Sequence, residues 1–382
     1  MKYLLVIGIS GLWLFEFFNI YFIMPMPGSQ QLDSLDFAYF LYTWRWVFRV
    51  FFTLLTFLGL YSIFKSNKNP VRALLLLLLT GCFIYFLNFK MSADYMFLQP
   101  EELIFQGKDS NSIPDDRLLI GIEINGEAKA YPIQLISYHH QVIDTVGGKP
   151  VMVTYCNVCR TGRVYEPKVL DQEESFRLVG MDHYNAMFED QTTKSWWRQV
   201  TGEAVSGKLK GAQLPEIESM QMTVEKWFDI YPNGKVMQPD HHFESKYEPL
   251  ARFEKGKSTG RLTRTDTIAW QEKSWVIGIS AEQNTKAYSW QDIKTNRIIH
   301  DSIEGNYLLL ALSKDGQSFV VFERAHDQIF LINNQDELIS GESIYDFSGY
   351  PKNTYGKPLK RIQAYQEFWH SWYTFQPETI TY

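Results

Sequence analysis

Apolar residues are concentrated at the start of the chain, where three long runs precede Lys90. The runs extend from about Tyr3 to Met24, from Trp46 to Phe64 and from Val71 to Phe89. Each is close to the ~20 apolar residues that a helix needs to cross a bilayer. The first run is too long and too aromatic for the core of a signal peptide. The pattern therefore predicts a membrane anchor of three transmembrane helices.

After Lys90 the apolar runs become short and are separated by turn residues, which is typical of strands. Residues 118–124 are apolar and β-branched, and Asn125-Gly126 directly after them is a strong hairpin signal, with 129–133 as the returning strand. The pattern also predicts a strand at 151–155, a hairpin of 307–312 with 318–323, and short helices at 132–138 and 223–230.

The region after Lys90 also repeats its own sequence. At an offset of 157 residues, Ile120-Gly121-Ile122 recurs as Ile277-Gly278-Ile279, Lys129-Ala130-Tyr131 as Lys286-Ala287-Tyr288, and Asp144 as Asp301. Farther along, the offset falls to 145 residues, and Trp227 matches Trp372. We therefore predict a three-helix transmembrane anchor followed by a β-rich domain, all-β or α+β, made of two homologous repeats.

The predicted domain boundaries follow from these patterns. Residues 1–90 form the anchor, and residues 91–243 form a first β-rich repeat that contains a Cys-x-x-Cys motif. A polar linker occupies residues 244–267, and residues 268–382 form a second repeat without the cysteines.

The distribution of charge predicts the orientation of the anchor. Lys2 precedes the first apolar run, the loop after that run is acidic, and the loop after the second carries Lys65, Lys68 and Arg72. Because cytoplasmic loops carry an excess of Lys and Arg, the second loop and the N-terminus are predicted to be cytoplasmic. The residues after Lys90 are then periplasmic, or extracytoplasmic, in a protein of a bacterial inner (plasma) membrane.

Ionisable residues inside the apolar runs are a second feature of the anchor. Glu16 lies within the first run, and Arg45 and Arg49 lie one helical turn apart at the start of the second. Charged groups at this depth are costly unless they are paired. We expect Glu16 to form a structural ion pair with one of these arginines, in preference to a functional site inside the membrane.

Composition restricts the partners. Residues 91–382 carry a formal charge of −10, because only seven of the 37 basic residues and three of the 43 acidic residues precede residue 91. An acidic domain without basic clusters excludes nucleic acid as a partner. The lipid bilayer is the expected partner, and residues 1–90 also offer a surface for another membrane protein. The substrate is unknown, and the chain has no nucleophile elbow, phosphate-binding loop, dinucleotide fingerprint or His-Glu-x-x-His helix.

Residues suited to chemistry occur in the first predicted repeat. Cys156 and Cys159 follow a strand, and His139, His140 and His183 complete a set of metal-binding or redox residue types. The second repeat has Ser313 and Gly316 at the positions of the cysteines. Polar residues that occur in one repeat only are better candidates for function than those shared by both.

Three interpretations of the cysteine pair remain open. Two thiolates with one or two of the histidines would form a transition-metal site for zinc, copper or iron, in a membrane-anchored extracytoplasmic metal-binding protein with or without a redox role. Alternatively, Cys156 and Cys159 act in thiol–disulfide exchange. In the third interpretation the domain is a non-catalytic scaffold or binding module, and the cysteines form a structural disulfide.

The ordered motifs resemble those of a known family, the domain of unknown function 3179. They are Gly126–Pro132, Tyr138-His139, Asp144, Gly147–Pro150, Val153–Cys156 with Cys159, Ser195-Trp196 and Thr201–Ala204. The resemblance covers residues 115–240 closely and the second half more loosely, and the anchor lies outside it. It implies that Cys156, Cys159 and His139 belong to the family signature, and it implies no reaction. This sequence has His140 where the family commonly has Glu, and Asn157-Val158 where it has Pro-Leu.

Overall fold

The three apolar runs form helices in the computed structural model, as predicted. Each helix is long and apolar enough to cross a membrane, and they are Tyr3–Tyr21, Arg45–Lys65 and Pro70–Lys90, the last of which ends in a π-helical turn. The structure describes residues 2–65, 70–281, 283–354 and 356–382.

Eleven α-helices occur in the described residues: α1 Lys2–Tyr21, α2 Leu35–Thr43, α3 Arg45–Lys65, α4 Pro70–Tyr85, α5 Ala93–Met96, α6 Ile133–His139, α7 Val224–Ile230, α8 Glu244–Tyr247, α9 Ala251–Glu254, α10 Trp290–Asn296 and α11 Trp369–Phe375.

The strands are β1 Phe105–Gln106, β2 Leu118–Ile124, β3 Glu127–Pro132, β4 Gln141–Val146, β5 Lys149–Cys156, β6 Thr161–Tyr165, β7 Lys168–Val169, β8 Gln172–Glu173, β9 Phe176–Asp182, β10 Asn185–Asp190, β11 Trp196–Arg198, β12 Ala204–Ser206, β13 Met220–Thr223, β14 Lys235–Met237, β15 Trp275–Ser280, β16 Thr285–Ser289, β17 Ile298–Ile303, β18 Asn306–Leu312, β19 Phe319–Glu323, β20 Leu331–Ile332, β21 Leu338–Ser340, β22 Ser343–Tyr345, β23 Ala364–Phe368 and β24 Ile380–Thr381. The hairpins and short helices predicted after Lys90 are all present.

The chain divides into two compact units that do not follow the order of the sequence. The first unit comprises Met1–Leu98, Glu174–Arg198 and Glu203–Gln213, and the second comprises Gln99–Glu173, Gln199–Gly202 and Leu214–Tyr382. A four-stranded sheet of order β12-β11-β10-β9 therefore belongs with the apolar helices.

Within the first unit, backbone and side-chain bonds join the helices to this sheet. Met181 of β9 donates its backbone N–H to Ile23 after α1, and the Tyr42 hydroxyl of α2 donates to Glu189 of β10 at 3.2 Å. The predicted ion pair is also present, because Arg49 donates to both carboxylate oxygens of Glu16 at 2.7 and 2.9 Å.

The second unit contains two β-rich halves with the same order of elements. Each half has a strand pair, a helix, a three-stranded antiparallel sheet and, after an intervening segment, a strand, a helix and a last strand. In the first half the strand order is β13-β2-β3-β14-β1, and in the second it is β23-β15-β16-β24. β14 pairs parallel to β3, and β24 pairs parallel to β16, whereas the other pairs in both sheets are antiparallel.

A glycine packed against a tryptophan recurs in the two halves. Gly121 of β2 lies under the ring of Trp227, and Gly278 of β15 lies under the ring of Trp372. A Cβ atom at either glycine would overlap the indole, so both positions require a residue without a side chain. Both tryptophans are almost completely buried.

The segment predicted as a polar linker contributes to the core. Residues 244–254 form α8, a short 3-10 turn and α9, and they bury Tyr247, Phe253 and Glu254. The Glu254 carboxylate accepts the backbone N–H of Leu118 at 2.7 Å. This bond connects the segment to the first residue of β2.

Candidate functional site

Both candidate cysteines lie where β5 turns into β6. Cys156 is the last residue of β5 and pairs with Thr161 of β6, and Cys159 follows in the turn. Both side chains are completely buried, and the two thiols are not bridged by a disulfide.

A buried arginine anchors this turn. Arg160 has a positive φ of 59°, and its side chain is completely buried. It donates to the backbone carbonyls of Phe253 and Glu254 at 3.3 and 2.9 Å, and it stacks 3.7 Å from the centre of the Trp275 ring. Because guanidinium remains charged, these carbonyls and the aromatic face are its main compensation in the interior.

The start of α11 in the second half closes over the thiols. The backbone N–H of Phe368 donates to the carbonyl of Cys159 at 3.0 Å, and Ser371 lies beside the Cys159 thiol. Burial raises the pKa of Cys159, and the neighbouring Cys156 raises it further, although Ser371 and Lys273 act in the opposite direction. The Cys159 thiol is therefore protonated at neutral pH.

A lysine and a histidine complete this side of the site. Lys273 donates to the backbone carbonyl of Val158 at 2.7 Å, and its Nζ lies 2.8 Å from Nε2 of His370. Burial lowers the pKa of Lys273, and burial together with that lysine lowers the pKa of His370 to about 3.

The adjacent histidines of the predicted site face different partners. His140 follows α6 with a φ of 61°, and its Nδ1 lies 2.8 Å from the carbonyl oxygen of Tyr155, the residue before Cys156. Burial lowers the pKa of His140 to about 4. His139 is also buried, and its Nε2 lies 2.7 Å from the hydroxyl of Tyr247.

His183 belongs to the first unit, whereas the other four predicted site residues belong to the second. Its Nδ1 lies 2.7 Å from Asp182, which also accepts two bonds from Arg198. The bond with Asp182 raises the pKa of His183. Within its own unit His183 is therefore part of a charged pair.

Several buried polar atoms near the cysteine turn have no hydrogen-bond partner among the described residues, and three of them lie on β5, α6 and the turn itself. These three are Oγ of Ser137, Oδ1 of Asn157 and the hydroxyl of Tyr155. Ser137 and Asn157 are neighbours, because Nδ2 of Asn157 donates to the Ser137 carbonyl at 2.9 Å. Since a buried polar group without a partner costs about 1–3 kcal/mol, such atoms indicate a missing ligand or water.

Among the described residues, one group of His, Cys, Asp or Glu side chains has its ligand atoms close enough together for a metal ion, and the predicted site residues are not part of it. The group consists of Asp240, His241 and His242 in the second unit. Asp240 is buried and already accepts the backbone N–H groups of Glu101, Glu102 and His242. Both histidine side chains are exposed.

Comparison with protein-family models identifies the chain. A model described as protein of unknown function (DUF3179) matches residues 103–379. The chain belongs to the DUF3179 family. The DUF3179 match covers both halves of the second unit and all five predicted site residues, and it begins after the three apolar helices. No curated protein and no solved structure matches the chain.

Three further residues lie beside the cysteine turn and carry no signal in the sequence: Lys273, His370 and Ser371. They lie more than 100 residues from the cysteines in sequence and reach them only through packing between the halves. No local motif marks them.

Proposed function

We propose that this protein is a membrane-anchored metal-binding protein in which Cys156, Cys159 and His140 hold a soft transition-metal ion. The observation that carries the proposal is the pair of buried, unbridged thiols in a turn surrounded by buried polar atoms without partners. Thiolate ligands select zinc, copper(I) or iron over hard cations such as magnesium and calcium. Binding would release both thiol protons to solvent.

The bond made by His140 supports its role as the third ligand. A backbone carbonyl can only accept, so Nδ1 must carry the proton that it shares with Tyr155, and Nε2 then carries the lone pair. Metal-binding histidines usually donate their second ring N–H to a carbonyl or carboxylate in this way. His139, which lies in the same unit, was also predicted as a ligand and remains a candidate for the fourth position.

Burial argues against the alternative of thiol–disulfide exchange. An exchange enzyme needs an accessible thiolate, whereas Cys156 and Cys159 are buried and the pKa of Cys159 is raised. A metal ion would compensate the two negative charges at the same place. The scaffold alternative leaves the partnerless atoms of Ser137 and Tyr155 without an explanation.

Metal analysis of the full chain tests the proposal. We expect about one zinc, copper or iron ion per chain after purification in detergent under reducing, metal-replete conditions. The double variant Cys156→Ser and Cys159→Ser should lose this ion. His242→Ala is the matched control, because it removes a ligand from the Asp240 group and should leave the cysteine-bound ion in place. Equal metal content in wild type and the double cysteine variant would contradict the proposal.

We also infer that the two halves of the second unit are homologous repeats on the extracytoplasmic side of a bacterial inner membrane. The shared strand order, the repeated Gly–Trp pair and the offsets in the sequence support the duplication. The basic residues before α4 support the orientation. A reporter fused after Tyr382 should be active only outside the cytoplasm, and cytoplasmic activity would contradict this orientation.

A further inference from the structure

A cavity of about 100 Å³ lies at one end of the apolar helices, within the first unit. Two elements bring three arginines to it: Arg45 and Arg49 from the start of α3, and Arg177 from β9. The polar residues Asn19, near the end of α1, and Asn88, after α4, also line it. Three guanidinium groups around one small cavity point to an anionic ligand.

Two of these arginines are already neutralised by carboxylates. Arg49 binds both oxygens of Glu16 and also donates to Asn88 at 2.7 Å. Arg177 donates to Glu189 at 2.9 Å and, in the same unit, pairs with Asp94. These pairs hold the two guanidinium groups in fixed positions at the cavity wall.

Arg45 differs from its neighbours. Among the described residues it pairs with no carboxylate, and it donates one hydrogen bond, to the backbone carbonyl of Tyr42 at 2.5 Å. Its guanidinium lies 3.9 Å from the centre of the Tyr42 ring. A guanidinium has five N–H donors, so most of the donors of Arg45 remain available at the cavity.

A buried amide provides a second, independent observation. Asn19 is only 6% exposed and lines the same cavity. Its Oδ1 makes no hydrogen bond to any described residue. Because an amide oxygen only accepts hydrogen bonds, Oδ1 of Asn19 indicates a hydrogen-bond donor in the cavity, such as the hydroxyl or ammonium group that a phospholipid headgroup carries beside its phosphate.

We propose that this cavity binds the phosphate group of a phospholipid headgroup. Phosphate is the anion that guanidinium groups bind best, and headgroup phosphates lie where membrane-spanning helices leave the apolar part of the bilayer. Arg45 supplies the charge and the donors that remain available, and the ion pairs of Arg49 and Arg177 hold the cavity wall in place. Free inorganic phosphate shares this chemistry. The proposal is independent of the metal site, since it uses none of the same residues.

Lipid retention by the full chain tests the proposal. The protein is purified in detergent, equilibrated with vesicles of phosphatidylglycerol, and washed, and its bound lipid phosphorus is measured. Arg45→Gln should weaken retention by about tenfold or more, because a charge-assisted hydrogen bond contributes about 1.5–3 kcal/mol. Arg72→Gln is the matched control, since Arg72 is an exposed arginine at the opposite end of α4 and lies outside the cavity.

Three further arms decide the outcome. Asn19→Leu, which fills the cavity with an apolar side chain, should also reduce retention while the helix content by circular dichroism stays unchanged. Competition by millimolar inorganic phosphate would assign the site to free phosphate, and its failure would assign it to the lipid. Equal retention by Arg45→Gln and Arg72→Gln would overturn the proposal, as would equal retention of diacylglycerol, which has no phosphate.

Discussion

The β5–β6 turn of the first half and the β18–β19 turn of the second occupy matching places in the fold but are filled differently. Each turn meets the start of a helix in the other half: Phe368 donates its N–H to Cys159, and Thr223 donates its N–H to Ser318. The second turn is filled with ion pairs, whereas the first contains thiols and imidazole. The comparison shows that the scaffold does not require sulfur at this place.

Asp336 explains how the second turn satisfies its polar groups. This buried carboxylate accepts four hydrogen bonds, from Arg297 at 2.6 Å, Ser313 at 2.7 Å, and Lys226 and the backbone N–H of Lys314 at 2.8 Å. Arg297 matches His140 in position, in its positive φ of 59° and in its bond to a carbonyl near the end of the neighbouring strand, Leu312 in place of Tyr155. Where the second half has a charge network, the first half has two thiols and an imidazole.

The largest predicted effect comes from removing the carboxylate at the centre of the ion pairs around the β18–β19 turn. Asp336→Ala leaves Lys226 without its closest carboxylate, and breaking a buried ion pair typically costs about 3–5 kcal/mol. The full chain in detergent should therefore unfold at lower denaturant concentration, followed by tryptophan fluorescence. Asp229→Ala is the control, because Asp229 is half-exposed and lies 3.5 Å from the same lysine, and it should cost less than about 1 kcal/mol. Similar losses in both variants would contradict the role given to Asp336.

The next effect concerns pH. Burial raises the pKa of Glu254, which lies next to Arg160, to about 7, although Leu118 and Arg117 oppose the shift. The folded protein then keeps a proton that the unfolded chain loses near pH 4.5, so this contribution to stability is complete below pH 4.5 and is lost as pH rises through about 7. The loss amounts to roughly 3 kcal/mol.

Glu254→Gln should remove most of this pH dependence, since glutamine keeps the acceptor for the Leu118 N–H and carries no titrating proton. The contribution of Asp336 to stability depends on pH in the opposite direction. Burial alone would raise its pKa, but Lys226 and Ser313 outweigh burial and lower it, so its contribution is present above its ordinary pKa and is lost at acidic pH. A stability profile of Glu254→Gln that falls between pH 4.5 and 7 as steeply as wild type would disprove the assignment.

How far the sequence predicts this structure depends on whether the signal is local. The apolar helices and the Asn125-Gly126 hairpin follow from neighbouring residues, and both were predicted. The pairing of Glu16 with Arg49 follows from the cost of charge among apolar residues. The partners of the cysteine turn do not follow, because Lys273 and Ser371 approach only when the two halves pack.

The segment 244–267 is a second case in which tertiary packing, and not local sequence, decides which residues are buried. Its polar composition suggested a linker, yet Phe253 and Glu254 are buried beside Arg160. Composition describes the average exposure of a segment, whereas the two carbonyls that receive the Arg160 guanidinium are set by tertiary packing.

A smaller predicted effect tests whether the two halves of the second unit pack in the same way. Gly121→Ala and Gly278→Ala each place a methyl group against a buried tryptophan ring, and such overpacking typically costs about 1–3 kcal/mol. If the two halves share one packing arrangement, the two variants should lose similar stability in denaturant unfolding. Gly107→Ala is the control, since nothing lies within 4 Å of its added Cβ. A large loss of stability in only one of the two variants would show that the halves pack differently.

The smallest predicted effect comes from a variant that makes the β5–β6 turn more like the β18–β19 turn. In metal-free protein, Cys156→Ser with Cys159→Ser replaces weakly polar thiols by hydroxyls in a buried site, at a cost of about 1–2 kcal/mol. After metal is added, the difference from wild type should grow, because an ion that binds only the folded state adds stability in proportion to the logarithm of its concentration over Kd. Denaturant unfolding with and without metal measures both differences. An unchanged difference would mean that the cysteines bind no metal and only fill space.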